Sequence, residues 1–210
     1  TYVTVWGIMK SAMGRPRDAE VDAALTAVAL ELLLERGYEQ MSVDAVVRKA
    51  GSTRPAFYRR FTGLPDLVLR LLLDRFETQL DRTFNSGSLP DDLRAVQQDQ
   101  LSFFLDPLIT SALPGFLAAT RSDGELRDAF AARFLLPRRR AVAAILQRGV
   151  DRREIAAPYD ADWVCDLMTG PFLMRVQLPA SGPLDDRLVE ASVAAALSVL
   201  GHPAHTRIAG

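Results

Sequence analysis

Apolar residues recur at intervals of three and four along almost the whole chain, and nowhere do they alternate with polar ones over a strand-length run. That spacing puts one apolar stripe on each of several successive α-helices and leaves no half-buried sheet to build. The first helix is expected over about 18–36, with Val21, Ala24, Leu25, Val28, Leu32 and Leu33 on its stripe and Gly37 as a left-handed stop. A second helix starts near residue 42. Ser42 caps free amides, Asp44 complements the positive helix end, and Met41 packs on Val46 as a staple. It ends at Gly51, too short to be stable alone. A third short helix is expected over 53–61, with Thr53 as cap and Pro55 in the first turn, where a missing N–H costs little. After a break at 62–66, a long fourth helix carries Leu67, Val68, Leu71, Leu72, Phe76, Leu80 and Phe84. Further helical stretches lie near 91–105, 108–121, 124–149, 159–179 and 184–200, with Pro137 expected to kink or split the 124–149 stretch.

The 210 residues are 49% hydrophobic and 24% charged, enough for a packed core and too apolar for wholesale disorder. No apolar run approaches the roughly 18 residues that span a bilayer, and residues 1–9 lack the pattern of a secretory leader. Met9 and Met13 are candidate starts. The single Cys165 excludes an intrachain disulfide and a cysteine zinc site. A cytoplasmic protein with no membrane partner, no cofactor and no metal is expected.

Net charge is −1, yet the charge is unevenly spread. Residues 10–60 carry nine basic and seven acidic side chains, whereas 61–210 carry sixteen and nineteen. Within 45–60, Arg48, Lys49, Arg54, Arg59 and Arg60 stand with no carboxylate among them. A local basic stripe on a near-neutral chain is an electrostatic footprint for nucleic acid. At 100° per residue, Phe57 and Phe61 share the inner face of the third helix. Pro55, Ala56 and Arg59 fall opposite them, with Tyr58 and Arg60 flanking. Two short helices around a glycine turn, the second showing arginines outward, form a helix-turn-helix suited to the major groove. Spacing and charge alone leave open a plain αα-hairpin whose arginines are a solvated face.

The stretch Leu34-Glu35-Arg36-Gly37-Tyr38, then 41–51, then Thr53-Arg54-Pro55-Ala56-Phe57-Tyr58-Arg59-Arg60-Phe61 and Asp66-Leu67 resembles the DNA-binding domain of the TetR family. Ser52, Pro55 and Leu64 depart from the usual pattern, Leu64 standing where a phosphate-binding lysine is common. The resemblance implies an all-α fold: an N-terminal three-helix helix-turn-helix domain plus a C-terminal helical bundle for ligand binding and dimerisation. Its expected boundaries are a flexible arm at 1–17, the DNA-binding domain at 18–62 and the effector and dimerisation domain at 63–210. By position, Arg54, Pro55, Ala56 and Arg59 would approach base edges. Ser42, Thr53, Tyr58 and Arg60 would hold phosphates, and Arg48 and Lys49 would add to the field. Gly14-Arg15-Pro16-Arg17 could enter a minor groove, although a loose solvated terminus is the preferred reading.

The resemblance further implies a homodimer acting as a repressor on a near-palindromic double-stranded operator, released by a small apolar or aromatic effector. Its interface would use Trp163, Leu167, Pro171, Met174, Leu188, Ala191, Ala195 and Val199. Phe103, Phe104, Phe116, Phe130, Phe134, Trp163, Met168 and Phe172 are candidates to line the effector pocket. Taken singly such residues are ordinary core, but as a set they admit a cavity. Catalytic chemistry is not expected. His202 and His205 lie past the last helix, no Glu-x-x-His pair exists, and the acids at 91–92 and 185–186 sit where capping explains them. The alternative is a helical small-molecule-binding protein that does not bind DNA specifically, against which the basic run at 48–60 weighs.

Overall fold

A computed structural model describes residues 16–80 and 83–203, and every regular element among them is helical. The helices are α1 (Pro16–Arg36), α2 (Val43–Lys49), α3 (Arg54–Tyr58), α4 (Leu64–Leu80), α5 (Leu89–Leu105), α6 (Pro107–Ser122), α7 (Gly124–Phe130), α8 (Leu136–Asp151), α9 (Ala161–Gln177) and α10 (Asp186–Val199). Residues 1–15, most of the expected arm, and His205 lie outside the described residues. α1 already begins at Pro16, so Arg17 belongs to that helix and not to an arm.

The expected caps are present. Ser42 Oγ accepts the Ala45 N–H at 3.1 Å and Thr53 Oγ1 accepts the Ala56 N–H at 3.3 Å. Asp106, Asp123, Asp160 and Asp185 do the same for α6, α7, α9 and α10. Gly37 ends α1 at φ 75°, its N–H returning to the Leu33 carbonyl, and Gly51 ends α2 at φ 62°. Only glycine holds such a backbone without strain.

Two elements differ from expectation, and a third splits as expected. Phe84 lies beyond α4 and packs instead on the apolar cluster of α5, α8, α9 and α10. A 3₁₀ turn at Tyr38–Gln40 joins α1 to α2. The 124–149 stretch divides at Pro137, and by a particular device: Ala131–Leu135 is a π-helical turn in which the Leu136 N–H reaches back five residues to the Ala131 carbonyl. Pro137 supplies no N–H, so the ladder shifts register ahead of it.

One apolar cluster runs without interruption from α1–α3 through α4 into α5, α6, α7, and the inner ends of α9 and α10. A second joins the start of α5 to α8, α9 and α10. Buried amides tie these layers: Gln97 and Gln100 of α5 each donate to the Met168 carbonyl of α9, at 3.0 and 3.1 Å. No single helix among the described residues is long and apolar enough to cross a membrane.

The head meets the body chiefly through α6, which touches α1, α4 and the 3₁₀ turn. There the Tyr38 ring lies on Gly115. A Cβ at Gly115 would stand 2.3 Å from Tyr38 Cδ1 and 2.9 Å from Tyr38 Cβ. The second of these cannot swing away as a ring can. Gly115→Ala would gain about 1 kcal/mol of helix propensity against about 1–3 kcal/mol of overpacking. The overpacking is expected to win, because the clash reaches the root of the side chain. Urea unfolding of the variant should show a net loss, and equal or higher stability would place Tyr38 elsewhere.

Candidate nucleic-acid interface and aromatic cavity

α3 is only five residues long, and its hold on the protein is aromatic. Phe57 is fully buried, with its centroid 5.4 Å from Phe61 on one side and 5.4 Å from Tyr58 on the other. Against that anchor, Arg54, Pro55, Tyr58 and Arg59 are exposed. Tyr58 is 54% exposed, far more than a ring recruited for packing would be. The Ser42 and Thr53 hydroxyls are exposed at the starts of α2 and α3, and each accepts its capping N–H. Their O–H protons stay available to donate to a phosphate.

The basic residues divide into three groups. Arg48 and Arg59 are exposed and pair with no described carboxylate within salt-bridge distance. Arg54 is exposed but clamped: Nε and Nη2 donate to the two oxygens of Asp44 at 2.5 and 2.6 Å. This fork lowers the Asp44 carboxyl from its ordinary range and raises the Arg54 guanidinium. Lys49 turns to α1, 2.9 Å from Glu31 and 3.6 Å from Glu35.

Two expected contacts are corrected. The Arg60 side chain is 12% exposed, pairs with Asp22 of α1, and donates to the Ala56 carbonyl at 2.9 Å. It fastens α3 to α1 and does not flank an outer face. Ala56, placed outward by an ideal wheel, is buried. α3 ends at Tyr58, so the wheel does not reach Arg60, and the Arg60 side chain folds back onto the Ala56 carbonyl and helps to cover Ala56.

A cavity of about 320 Å³ lies in the body among α5, α6, the π turn, α8 and α9. Phe103, Phe104, Phe130 and Phe134 line it as expected. The Phe130 and Phe134 rings stack at 5.1 Å, and Phe134 approaches Phe103 at 5.3 Å. Phe116, Met168 and Phe172 do not line it: Phe116 and Phe172 are buried core behind Phe130 and Phe104, and Met168 belongs to the second apolar cluster. Trp163 is 53% exposed on the outer side of α9, so it serves no pocket. Cys165 forms part of the wall, and burial pushes its thiol up to about 11. It is therefore neutral and inert at physiological pH.

Sequence reasoning missed Arg138. Its guanidinium lies over the Phe103 ring at 4.4 Å and the Phe134 ring at 4.7 Å, facing the cavity. Burial lowers it to about 10 despite the attraction of Asp99. The available signal was a run of three arginines, Arg138 to Arg140, directly after a proline that breaks a helix in the apolar body.

Of the residues expected at a dimer interface, Trp163, Met174 and Val199 are exposed, at 53, 50 and 55%. Ala191 is exposed as well, while Leu167, Pro171 and Ala195 are half-buried. Leu188 is buried inside the subunit and is corrected to core, because it packs on the larger apolar cluster at the start of α10. No group of side chains among the described residues could hold a metal ion.

Comparison with known proteins agrees with this anatomy. Residues 25–71 match the family model for bacterial regulatory proteins of the tetR family, and residues 85–196 match that for the tetracyclin repressor-like C-terminal domain. The DNA-binding transcriptional repressor TetR of Mycobacteroides abscessus is 31% identical over 182 residues, 86% of this chain and 94% of that protein. The uncharacterized HTH-type transcriptional regulator Rv1556 of Mycobacterium tuberculosis is 31% identical over 81% of each chain. Among solved structures, the TetR family transcription regulator SCO0332 superposes with a TM-score of 0.64 at 24% identity, covering 85% of this chain and 97% of its own. FadR of Bacillus subtilis does so at 0.55 and 19% identity, covering 84% and 96%. These relatives are regulators and not enzymes. With an anchored helix-turn-helix at one end, an aromatic cavity at the other and both family models matched in order, the chain belongs to the TetR family of DNA-binding transcriptional regulators.

Proposed function

We propose that this regulator is a homodimeric repressor that leaves a near-palindromic operator when a small apolar or aromatic effector enters the cavity. The observation that carries the reading is the path between the two sites. α6 contributes Leu113 and Leu117 to the cavity wall and, from the same helix, Gly115 to the Tyr38 contact at the head. A ligand that favours one packing of α6 biases how the head is held, provided it binds the two arrangements with different affinity. The DNA-binding head would comprise residues 18–62 and the effector and dimer body 63–210. Arg54, Pro55 and Arg59 would read bases, while Ser42, Thr53, Tyr58 and Arg48 would hold phosphates or add to the field.

The exposed Trp163 and Met174 on α9, Leu178 just past its end and Val199 on α10 support a dimer through these helices, since a monomer gains nothing from exposed large apolar side chains in water. Two-fold symmetry would set two α3 helices at a fixed spacing, which a palindrome matches. FadR was crystallised with stearoyl-CoA, so a bundle of this architecture accepts a ligand that carries a long apolar chain. The test is a gel shift on the DNA upstream of the protein's own gene, with sedimentation run in parallel. A dimer mass and a shifted band that a cavity-binding compound releases are expected. A monomer, or a band that no cavity-binding compound disturbs, would refute the proposal.

A further inference from the structure

The cavity wall contains one guanidinium with two donors that the fold leaves without an acceptor. Arg138 Nε and Nη2 are both buried and neither has a hydrogen-bond partner. Its neighbours on the wall are satisfied. Arg139 pairs with Asp162 at 2.8 Å and also with Asp166, and the Thr169 hydroxyl donates to the side-chain Oε1 of Gln100 at 3.3 Å. Two phenyl faces stabilise the Arg138 charge but accept no N–H in its plane. A guanidinium offers a planar fork that matches a carboxylate, and buried donors without acceptors are rare in folded proteins.

We propose that Arg138 makes the cavity selective for a carboxylate-headed ligand, the head on the guanidinium fork and an apolar body among Phe103, Phe104, Phe130 and Phe134. This rests on the reading of the cavity as the effector site and adds the chemistry of the effector. About 320 Å³, at about 30 Å³ per water in the liquid, has room for roughly ten water-sized groups. An aryl-alkanoic or medium-chain alkanoic acid is of that size. Asp99 stands on the same wall and attracts the guanidinium, yet it gives neither Nε nor Nη2 a hydrogen bond. The group stays charged at neutral pH and keeps its need for an anion.

The experiment is calorimetric titration of the full chain with octanoate and hydrocinnamate, each beside its neutral primary amide, and with octylamine. On the wild-type protein each acid is expected to bind about ten- to a hundredfold more tightly than its amide, as a charge-assisted bond replaces a neutral one. Arg138→Met keeps the apolar stem and removes the fork. It should level acid and amide, leave amide affinity within about threefold, and melt no lower than wild type, since an unpaired buried charge is gone. The acid–amide comparison needs no variant to fold. Equal affinity for acid and amide would overturn the carboxylate assignment and leave the effector cavity standing, as would preference for octylamine. Failure of every probe to bind at millimolar concentration would overturn both.

Discussion

Truncation of Phe57 to alanine is expected to cost about 3–5 kcal/mol and to abolish operator binding with it. Phe57 is fully buried, it contacts Tyr58 and Phe61, and it lies in the cluster that continues through α4 into the body. α3 has five residues and cannot stand on helix propensity. Its position therefore depends on that ring and on the Arg60–Asp22 pair. A typical domain has about 5–15 kcal/mol in total, so the variant should lose a large share. Urea unfolding followed by circular dichroism reads the loss. A change below about 1 kcal/mol would mean that α3 is held by something other than its aromatic anchor.

Arg59 gives the opposite signature. Its side chain is exposed and pairs with no described carboxylate within salt-bridge distance, so Arg59→Ala should leave the melting temperature unchanged. DNA affinity should fall by about 1–3 kcal/mol at the cognate site, roughly ten- to a hundredfold, while non-specific binding falls little. Arg59→Glu adds repulsion from the phosphates and should bring specific binding down to the non-specific level. Arg60→Ala makes the contrast. Its guanidinium serves Asp22 and the Ala56 carbonyl, so stability should drop first and affinity only as a consequence. Fluorescence anisotropy on one operator, with melting curves for all variants, separates the two roles. Equal losses for Arg59→Ala on cognate and random DNA would make Arg59 a phosphate contact instead of a base reader.

The head was legible because its signals are local. Ser42, Thr53, Gly37 and Gly51 each act on a backbone group within a few residues, and each does so in the structure. Arg60 was misplaced because α3 ends at Tyr58, and Ala56 because a wheel cannot see a long side chain folding back over it. In the body, proline marked the break at residue 137, but periodicity could not foresee the π turn that brings Phe134 to the cavity. Nor could spacing tell Phe103 and Phe130 at the wall from Phe116 and Phe172 behind it, since all four are equally apolar. Long-range polar contacts were likewise invisible. The amide of Leu89 at the start of α5 is capped by Glu154, 65 residues away. Against the burial that would raise it, that N–H and the neighbouring Arg152 and His202 hold Glu154 below its ordinary range.

Selection of bound duplexes from a random DNA pool, with wild type and Arg59→Ala side by side, tests most directly whether the outer face of α3 reads sequence as a pair. Wild type should enrich two inverted half-sites whose centres lie about one helical turn, 10–10.5 base pairs, or a multiple of it apart. Arg59→Ala should keep that spacing and lose preference at one symmetric position in each half. An unenriched pool, a lone half-site, or an identical motif from both proteins would contradict the account.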